Sequence, residues 1–182
     1  CISYGVPFRV YLSYRKRRFC TAMEIERKFL IKELPADLAS FPCHKIEQAY
    51  LNTNPVVRIR RQDDAYFLTY KGEGHMVREE YNLPLNETSY CHLKEKADGI
   101  ILTKTRYLLP LEGGLTIELD VFGAPYEGLF LAEVEFPDVE SANSFTPPPL
   151  VRRGCNLLIR IPQQHALRRK GQTAVMQACP FL

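Results

Sequence analysis

The chain of 182 residues has no tryptophan, three methionines and no Cys-x-x-C pair among its six cysteines. Four of the cysteines lie near the two ends, which leaves Cys43 and Cys91 in the middle. Structural zinc sites and disulfide frameworks need clustered cysteines, so we expect neither, and we predict a reducing, cytoplasmic compartment. No apolar run approaches the roughly 18 residues of a membrane span, and the basic cluster after the apolar start reverses the order of a secretory signal.

Acidic residues are missing from both ends of the chain. Residues 1–22 carry five basic side chains and residues 150–182 carry six, with no Asp or Glu in either segment. Removing these eleven charges from the net charge of +3 leaves −8 for residues 23–149. The mild basicity that would favour nucleic acid therefore belongs to the ends. We expect one acidic domain in the middle and no binding to DNA.

Eight segments of this middle part alternate apolar and polar residues, a pattern that predicts strands with one buried face. Turn-forming residues such as Gly72-Glu73-Gly74 separate them. The predicted strands are Glu24–Ile31, Ile46–Leu51, Val56–Arg61, Tyr66–Lys71, Val77–Leu85, Ile100–Leu109, Leu115–Phe122 and Leu129–Phe136.

Helices are a minor part of the prediction. One is expected to begin at an Asn86 cap, to run to about Ala97 and to stop at Asp98-Gly99, and a short one is expected after an Asp138 cap. A third short helix is predicted over Ala36–Phe41. The fold class predicted from these elements is α+β, mainly β.

The polar positions of the strands are almost all charged, with acids grouped in acidic pairs and bases in basic pairs. The acids are Glu24, Glu26, Glu80, Glu118, Asp120, Glu133 and Glu135, and the bases are Lys28, Arg58, Arg60, Lys71, Arg78, Lys104 and Arg106. A solvated face with cross-strand ion pairs, each worth about 0.2–1 kcal/mol, explains any single pair. Segregation by sign instead indicates two ligands, a divalent cation for the acids and phosphate oxygens for the bases. A closed antiparallel sheet would turn this face inward as a charged tunnel.

Seven charge motifs follow one another along the chain. They are Glu24-x-Glu26-x-Lys28, Val57-Arg58-Ile59-Arg60, Leu68-Thr69-Tyr70-Lys71-Gly72, Arg78-Glu79-Glu80-Tyr81, Lys104-Thr105-Arg106-Tyr107, Ile117-Glu118-Leu119-Asp120 and Ala132-Glu133-Val134-Glu135-Phe136. In this order they resemble the CYTH domain of the triphosphate tunnel metalloenzymes over residues 23–149. The resemblance implies an eight-stranded antiparallel β-barrel with a few flanking helices.

The resemblance also implies roles for the charged residues. Metal ligands for Mg²⁺ or Mn²⁺ would be Glu24, Glu26, Glu80, Glu118, Asp120, Glu133 and Glu135. Substrate-binding residues would be Lys28, Arg58, Arg60, Lys71, Arg78, Lys104 and Arg106. Lys28, Glu24 and Glu26 would act in catalysis. Two assignments have plain alternatives, since Lys71 beside Gly72 also suits an exposed hairpin position and Arg78 also suits a simple pair with Glu80.

Members of this family hydrolyse inorganic triphosphate, nucleoside triphosphates or thiamine triphosphate, cyclise ATP, or process RNA 5′ ends. We expect metal-dependent hydrolysis of inorganic triphosphate or a nucleoside triphosphate, with a small triphosphate-containing molecule as partner. A class IV adenylate cyclase that makes cyclic AMP is one alternative. A non-catalytic module that binds polyphosphate or nucleotides is another. The sequence leaves the oligomeric state open, with a homodimer among the options.

The two ends depart from the family pattern. Arg17-Arg18 can be encoded AGG AGG, a ribosome-binding sequence just before Met23, so residues 1–22 are interpreted as untranslated leader or as a disordered extension. With suitable codons, a shift of one base turns Leu150–Asn156 into Trp-Phe-Gly-Glu-Asp-Val-Thr, and it turns Ile161–Leu167 into Tyr-His-Asn-Ser-Thr-Leu. Both resemble closing segments of the family. We therefore hypothesise a frameshift near Pro149 and an atypical, poorly ordered tail over residues 150–182.

Overall fold

The computed structural model describes residues 22–31 and 33–148. Residues 1–21 of the predicted leader and the predicted frameshifted tail lie outside the described residues, whereas Ala22, which the prediction places in the leader, opens the first strand. The strands are β1 (Ala22–Leu30), β2 (Cys43–Thr53), β3 (Val56–Gln62), β4 (Ala65–Lys71), β5 (Val77–Leu85), β6 (Asp98–Pro110), β7 (Thr116–Phe122) and β8 (Phe130–Glu135). They form a closed barrel in the order β1, β5, β4, β3, β2, β6, β7, β8, and every pairing is antiparallel. The predicted eight-stranded antiparallel barrel is confirmed.

Helical structure in the described ranges is limited to α1 (Glu87–Lys94), α2 (Val139–Ser144) and two short 3₁₀ turns. Both predicted caps are present, because the side chain of Asn86 accepts from Ser89 N and that of Asp138 accepts from Ser141 N, each at 2.7 Å. The third predicted helix is only a 3₁₀ turn over Leu38–Ser40. None of the described helices has the length and apolar character needed to cross a membrane.

The predicted boundary between α1 and β6 is wrong. Helix α1 ends at Lys94, and Asp98 and Gly99 open strand β6 where the prediction had them stop the helix. Strand β2 is likewise longer than predicted, since it starts at Cys43 and reaches Thr53. Pairing with long neighbours explains both differences, because a strand position inside a closed sheet gains ladder hydrogen bonds that local sequence pattern does not reveal.

The main hydrophobic core lies outside the barrel wall. Phe29 is 1% exposed and packs against Phe145, the residue after α2, with ring centroids 6.1 Å apart. Arg27, also on the outer face of β1, donates through Nη1 to Ala142 O at 2.9 Å and to Phe145 O at 3.0 Å. Helix α1 covers another part of the wall, where Tyr90 packs in one cluster with buried residues of β2 and β3. The apolar outer face predicted from the sequence is thus covered by α1 and α2.

Part of the barrel interior is apolar. Leu102, Phe122 and Leu131 are at most 4% exposed, and they share strand faces with the inward charges of β6, β7 and β8. The ammonium group of Lys104 lies 5.5 Å from the centroid of the Phe122 ring. The predicted charged tunnel therefore occupies only part of the interior, and Leu102, Phe122 and Leu131 fill another part.

The turn from β4 to β5 depends on glycine. Gly74 has φ +125°, and a Cβ at this position would lie 2.1 Å from Val77 O. Only a residue without a side chain fits this turn. It brings Lys71 at the end of β4 opposite Glu80 on β5, so that both project into the barrel.

Candidate active site

A polar cavity of about 250 Å³ opens inside the barrel. Its wall comes from all eight strands, and twelve of its fifteen lining residues are charged. The lining residues are Glu24, Glu26, Lys28, Tyr50, Val56, Arg58, Arg60, Lys71, Arg78, Glu80, Asn82, Arg106, Glu118, Glu133 and Glu135. All but two of the charged residues singled out from the sequence are in this set. The exceptions are Lys104 and Asp120.

The acids of β1 are held by bases from β4 and β5. Lys71 Nζ lies 2.7 Å from both carboxylate oxygens of Glu24, and Arg78 Nε lies 2.9 Å from Glu24 Oε2. Arg78 also donates to Glu26. Lys71 is only 6% exposed, which excludes the exposed hairpin alternative, and Arg78 pairs with the β1 carboxylates where a simple pair with Glu80 was the alternative.

Lys28 joins β1 to β8. Its ammonium group lies 2.8 Å from Glu26 and also contacts Glu133. Burial by itself would lower the pKa of Lys28, but attraction to Glu133 and Glu26 outweighs burial and raises the pKa. Lys28 therefore keeps its charge inside the cavity across the physiological range.

Arg106 joins the acids of β7 and β8. It binds Asp120 through two parallel contacts of 2.7 Å, donates to Glu133 at 2.6 Å and contacts Glu118. Asp120 is fully buried and contacts Lys104 as well. Its role as a metal ligand stays a prediction, and neither Asp120 nor Lys104 is among the residues that line the cavity. A carboxylate already bound bidentately is a supporting group for Arg106.

Two arginines of β3 have no carboxylate partner among the described residues. The Nε atoms of Arg58 and Arg60 are buried without a hydrogen-bond partner. Burial, together with repulsion from Arg58 and Arg106, lowers the pKa of Arg60 to about 10. A buried guanidinium with unused donors is a binding site for an anion, because each unmade hydrogen bond to a charged group is costly.

Glu135 is the acidic counterpart of these arginines. It lines the cavity, and in the described part of the chain no base forms an ion pair with it. Burial and the negative charges of Glu24, Glu118, Glu80 and Glu26 raise its pKa. Convergence of carboxylates that repel one another is the environment that a bound cation stabilises.

The fit of a metal ion follows from this donor set. Oxygen ligands from carboxylates suit Mg²⁺ and Mn²⁺, and six of the seven predicted ligands line the cavity. Across the described ranges, however, no three acidic, His or Cys side chains are already arranged to hold a metal ion. Most of the carboxylates contact Lys or Arg instead. The residues fit a hard divalent cation chemically. To bind it, the carboxylates must give up their ion pairs with Lys and Arg side chains.

Sequence reasoning missed three lining residues, Tyr50, Val56 and Asn82. Tyr50 is 2% exposed and accepts a hydrogen bond from Gln48 at 3.2 Å, and burial raises its pKa. The strand pattern could have found it, because Tyr50 lies opposite Arg58 on the neighbouring strand. Asn82 lies two residues after Glu80 and so shares its inward face.

Two known proteins are similar in sequence to this chain. The inorganic triphosphatase of Nitrosomonas europaea is 39% identical over 130 residues, which cover 69% of this chain and 84% of the relative. The inorganic triphosphatase of Acetivibrio thermocellus is 31% identical over 119 residues, which cover 63% of this chain and 75% of the relative.

The fold also matches a solved structure. The crystal structure of an inorganic triphosphatase superposes with a TM-score of 0.58 and 33% identity, over 81% of this chain and 97% of the other. Residues 22–145 match the model of the CYTH domain, and this chain belongs to the CYTH domain family.

Proposed function

We propose that this protein hydrolyses inorganic triphosphate in the barrel cavity with the help of a divalent metal ion. The observation that carries the proposal is the pair Arg58 and Arg60, whose buried Nε atoms have no hydrogen-bond partner among the described residues and which line the same cavity as six carboxylates. The two relatives at 39% and 31% identity are inorganic triphosphatases, which supports the same activity here. The lack of clustered cysteines supports a cytoplasmic location.

The bases of the cavity would hold the phosphate chain. Guanidinium groups bind phosphate oxygens bidentately, and Arg58 and Arg60 have donors free for this among the described residues. Lys28, Lys71 and Arg78 would also bind phosphate oxygens after releasing their carboxylate partners. These charges would then stabilise the negative charge that shifts onto the departing phosphate in the transition state.

The acids of the cavity would hold the metal. Glu24, Glu26, Glu80, Glu118, Glu133 and Glu135 line the same space, and Asp120 orients Arg106. When bound, Mg²⁺ or Mn²⁺ would neutralise phosphate charge and lower the pKa of the attacking water. As Lys28, Lys71 and Arg78 transfer to phosphate, the carboxylates they leave become available as ligands.

The lining favours an inorganic substrate over a nucleotide. Among the residues that the structure describes, Tyr50 is the one aromatic residue that lines the cavity, and it is 2% exposed. Recognition of adenine usually needs a ring that stacks on the base or apolar walls with a few polar groups. Within residues 22–31 and 33–148, Val56 is the only apolar lining residue besides Tyr50. The cyclase and nucleotide-binding alternatives therefore have less support than hydrolysis of a bare phosphate chain.

The first prediction tests this proposal. The protein incubated with inorganic triphosphate and Mg²⁺ or Mn²⁺ should release orthophosphate, and with ATP it should form no cyclic AMP. Glu24→Ala should lower kcat by about 100-fold or more, since it removes a cavity carboxylate that holds both Lys71 and Arg78. Orthophosphate is measured colorimetrically with the metal present and after chelation.

Glu79→Ala is the matched control. Glu79 lies opposite Met23 on the outer face of the same strand pair and is exposed. It should keep the activity of the unchanged protein. Full metal-dependent turnover in Glu24→Ala would contradict the site assignment, and the absence of phosphate release by the unchanged protein would contradict the proposed function.

A further inference from the structure

Asn82 is an uncharged residue within the charged wall of the cavity. It lies on β5, on the inward face that also carries Arg78 and Glu80. Its side chain makes two hydrogen bonds, one with Thr69 Oγ1 at 2.6 Å and one with Glu80 Oε1 at 2.8 Å. Thr69 is fully buried on β4, directly opposite Asn82 in the strand register.

The chemistry of the partners sets the orientation of the Asn82 amide. An ionised Glu80 carboxylate can only accept, so the amide must turn Nδ2 toward it. Oδ1 then faces Thr69, whose hydroxyl can donate. The reverse orientation would set the amide oxygen against the carboxylate, which is repulsive. Thr69 therefore fixes the amide, and the amide fixes one oxygen of Glu80.

The other oxygen of Glu80 has a different kind of partner. Lys71 Nζ lies 2.5 Å from Glu80 Oε2 and forms an ion pair with it. Lys71 is shared with Glu24, which lies on the neighbouring strand β1. A shared ammonium charge attracts Glu80 but gives little direction, whereas the Asn82 N–H is directional.

We infer that Asn82, held by Thr69, is a positioning residue that orients the Glu80 carboxylate toward the cavity. The inference rests on the proposed metal-dependent function, because the oriented group is one of the candidate metal ligands. When Lys71 leaves Glu80 for a phosphate oxygen, the Asn82 hydrogen bond keeps the carboxylate in place. Hydrogen-bond partners of ligating carboxylates are known to affect metal affinity by about 10- to 100-fold.

The second prediction tests the inference through metal binding in the absence of turnover. Thr69→Val has nearly the same shape but lacks the hydroxyl, and it should raise the dissociation constant for Mn²⁺, with no substrate present, by about 10-fold. Asn82→Ala should weaken binding by a similar factor. Thr69→Ser keeps the hydroxyl, so this variant should bind Mn²⁺ with the affinity of the unchanged protein. Free Mn²⁺ is measured by electron paramagnetic resonance.

The control is Thr105→Val on β6, which makes the same substitution at a barrel position with no hydrogen bond to the cavity among the described residues. It should leave Mn²⁺ affinity unchanged. Thermal unfolding followed by circular dichroism confirms that each variant is folded. An unchanged affinity in both Thr69→Val and Asn82→Ala, or a failure of Thr69→Ser to restore it, would overturn the inference.

The two proposals fail separately. If the protein releases no phosphate from triphosphate but these variants still weaken Mn²⁺ binding, the proposed reaction is wrong and the role of Asn82 holds. If triphosphate is hydrolysed and the Thr69 and Asn82 variants bind Mn²⁺ normally, the reaction holds and the inference is wrong.

Discussion

Arg60 shows what burial does to a charge that forms no ion pair with any described residue. Its pKa falls to about 10 because water is excluded and Arg58 and Arg106 repel it. Its guanidinium lies 5.4 Å from the Phe67 ring centroid, which stabilises the cation but leaves the Nε donor unused. A phosphate oxygen would satisfy that donor and relieve the repulsion from the neighbouring arginines.

The third prediction concerns this residue. Arg60→Ala should raise KM for inorganic triphosphate by about 10- to 100-fold, as expected for the loss of a hydrogen bond between two charged groups. Steady-state kinetics at saturating Mg²⁺ measures it. Arg61→Ala is the control, because the exposed Arg61 side chain bonds Asp63 O at 2.8 Å outside the cavity. Equal KM values in the two variants would contradict anion binding by Arg60.

At the scale of single elements, the short helix α1 depends on its cap. Asn86 accepts from Ser89 N, and a helix of eight residues has little stability of its own. Tyr90 and Lys94 tie the helix to the barrel by contacting Glu47 at 2.9 Å and 2.7 Å. The helix thereby covers the outer face of the wall without reaching the cavity.

The fourth prediction follows from that position. Asn86→Ala should lower the free energy of unfolding by about 1 kcal/mol, because a helix N–H loses its acceptor. Asn86→Asp keeps an acceptor and should retain most of the stability. Guanidinium denaturation measures both variants. Triphosphate turnover should be the same in the two, and a change confined to Asn86→Ala would show that α1 affects the cavity after all.

Strand patterning made most of the barrel predictable. Alternation located the eight strands, and placing Glu24, Glu26 and Lys28 on one face followed directly from their spacing. The burial of Asp120 against Arg106 could not be predicted from the sequence. It depends on the register between neighbouring strands in the closed barrel, which decides how far along the barrel axis each inward side chain lies. Asn82 was missed for a related reason, since its importance comes from Thr69 and Glu80, which only the fold brings to it.

At the scale of the whole molecule, the cavity is a network of opposite charges whose stability depends on ionisation. Burial would raise the pKa of Glu80, but a hydrogen bond with Glu24 and attraction to Lys71 and Arg58 lower it to about 2. The unfolded chain takes up a proton near the ordinary value of 4.5. The folded state therefore gains stability from this group above pH 4.5, and it loses that gain as the pH falls from 4.5 to 2.

The fifth prediction is an acid-sensitive fold. Acidification from pH 6 to pH 3 should lower the free energy of unfolding, with Glu80 alone contributing about 2 kcal/mol of the loss. Urea denaturation at several pH values measures the slope. Glu80→Gln cannot be protonated, so its stability should fall less steeply over the same interval. Identical slopes for Glu80→Gln and the unchanged protein would contradict the assigned role of this carboxylate.

The pairing of β1 with β5 is the shortest contact in the barrel. In the described part of the chain, four register positions join these strands, from Ala22 opposite Glu80 to Ile25 opposite Val77. The ion pair between Glu24 and Arg78 bridges the same seam from the inside. Among the described residues, opening the wall at this seam would break the fewest ladder bonds, so we expect its amides to exchange hydrogen faster than those of the other seams. A ligand that binds Arg78 in place of Glu24 would remove the ion pair that joins β1 to β5. Binding of a ligand in the cavity and separation of these two strands would therefore be coupled.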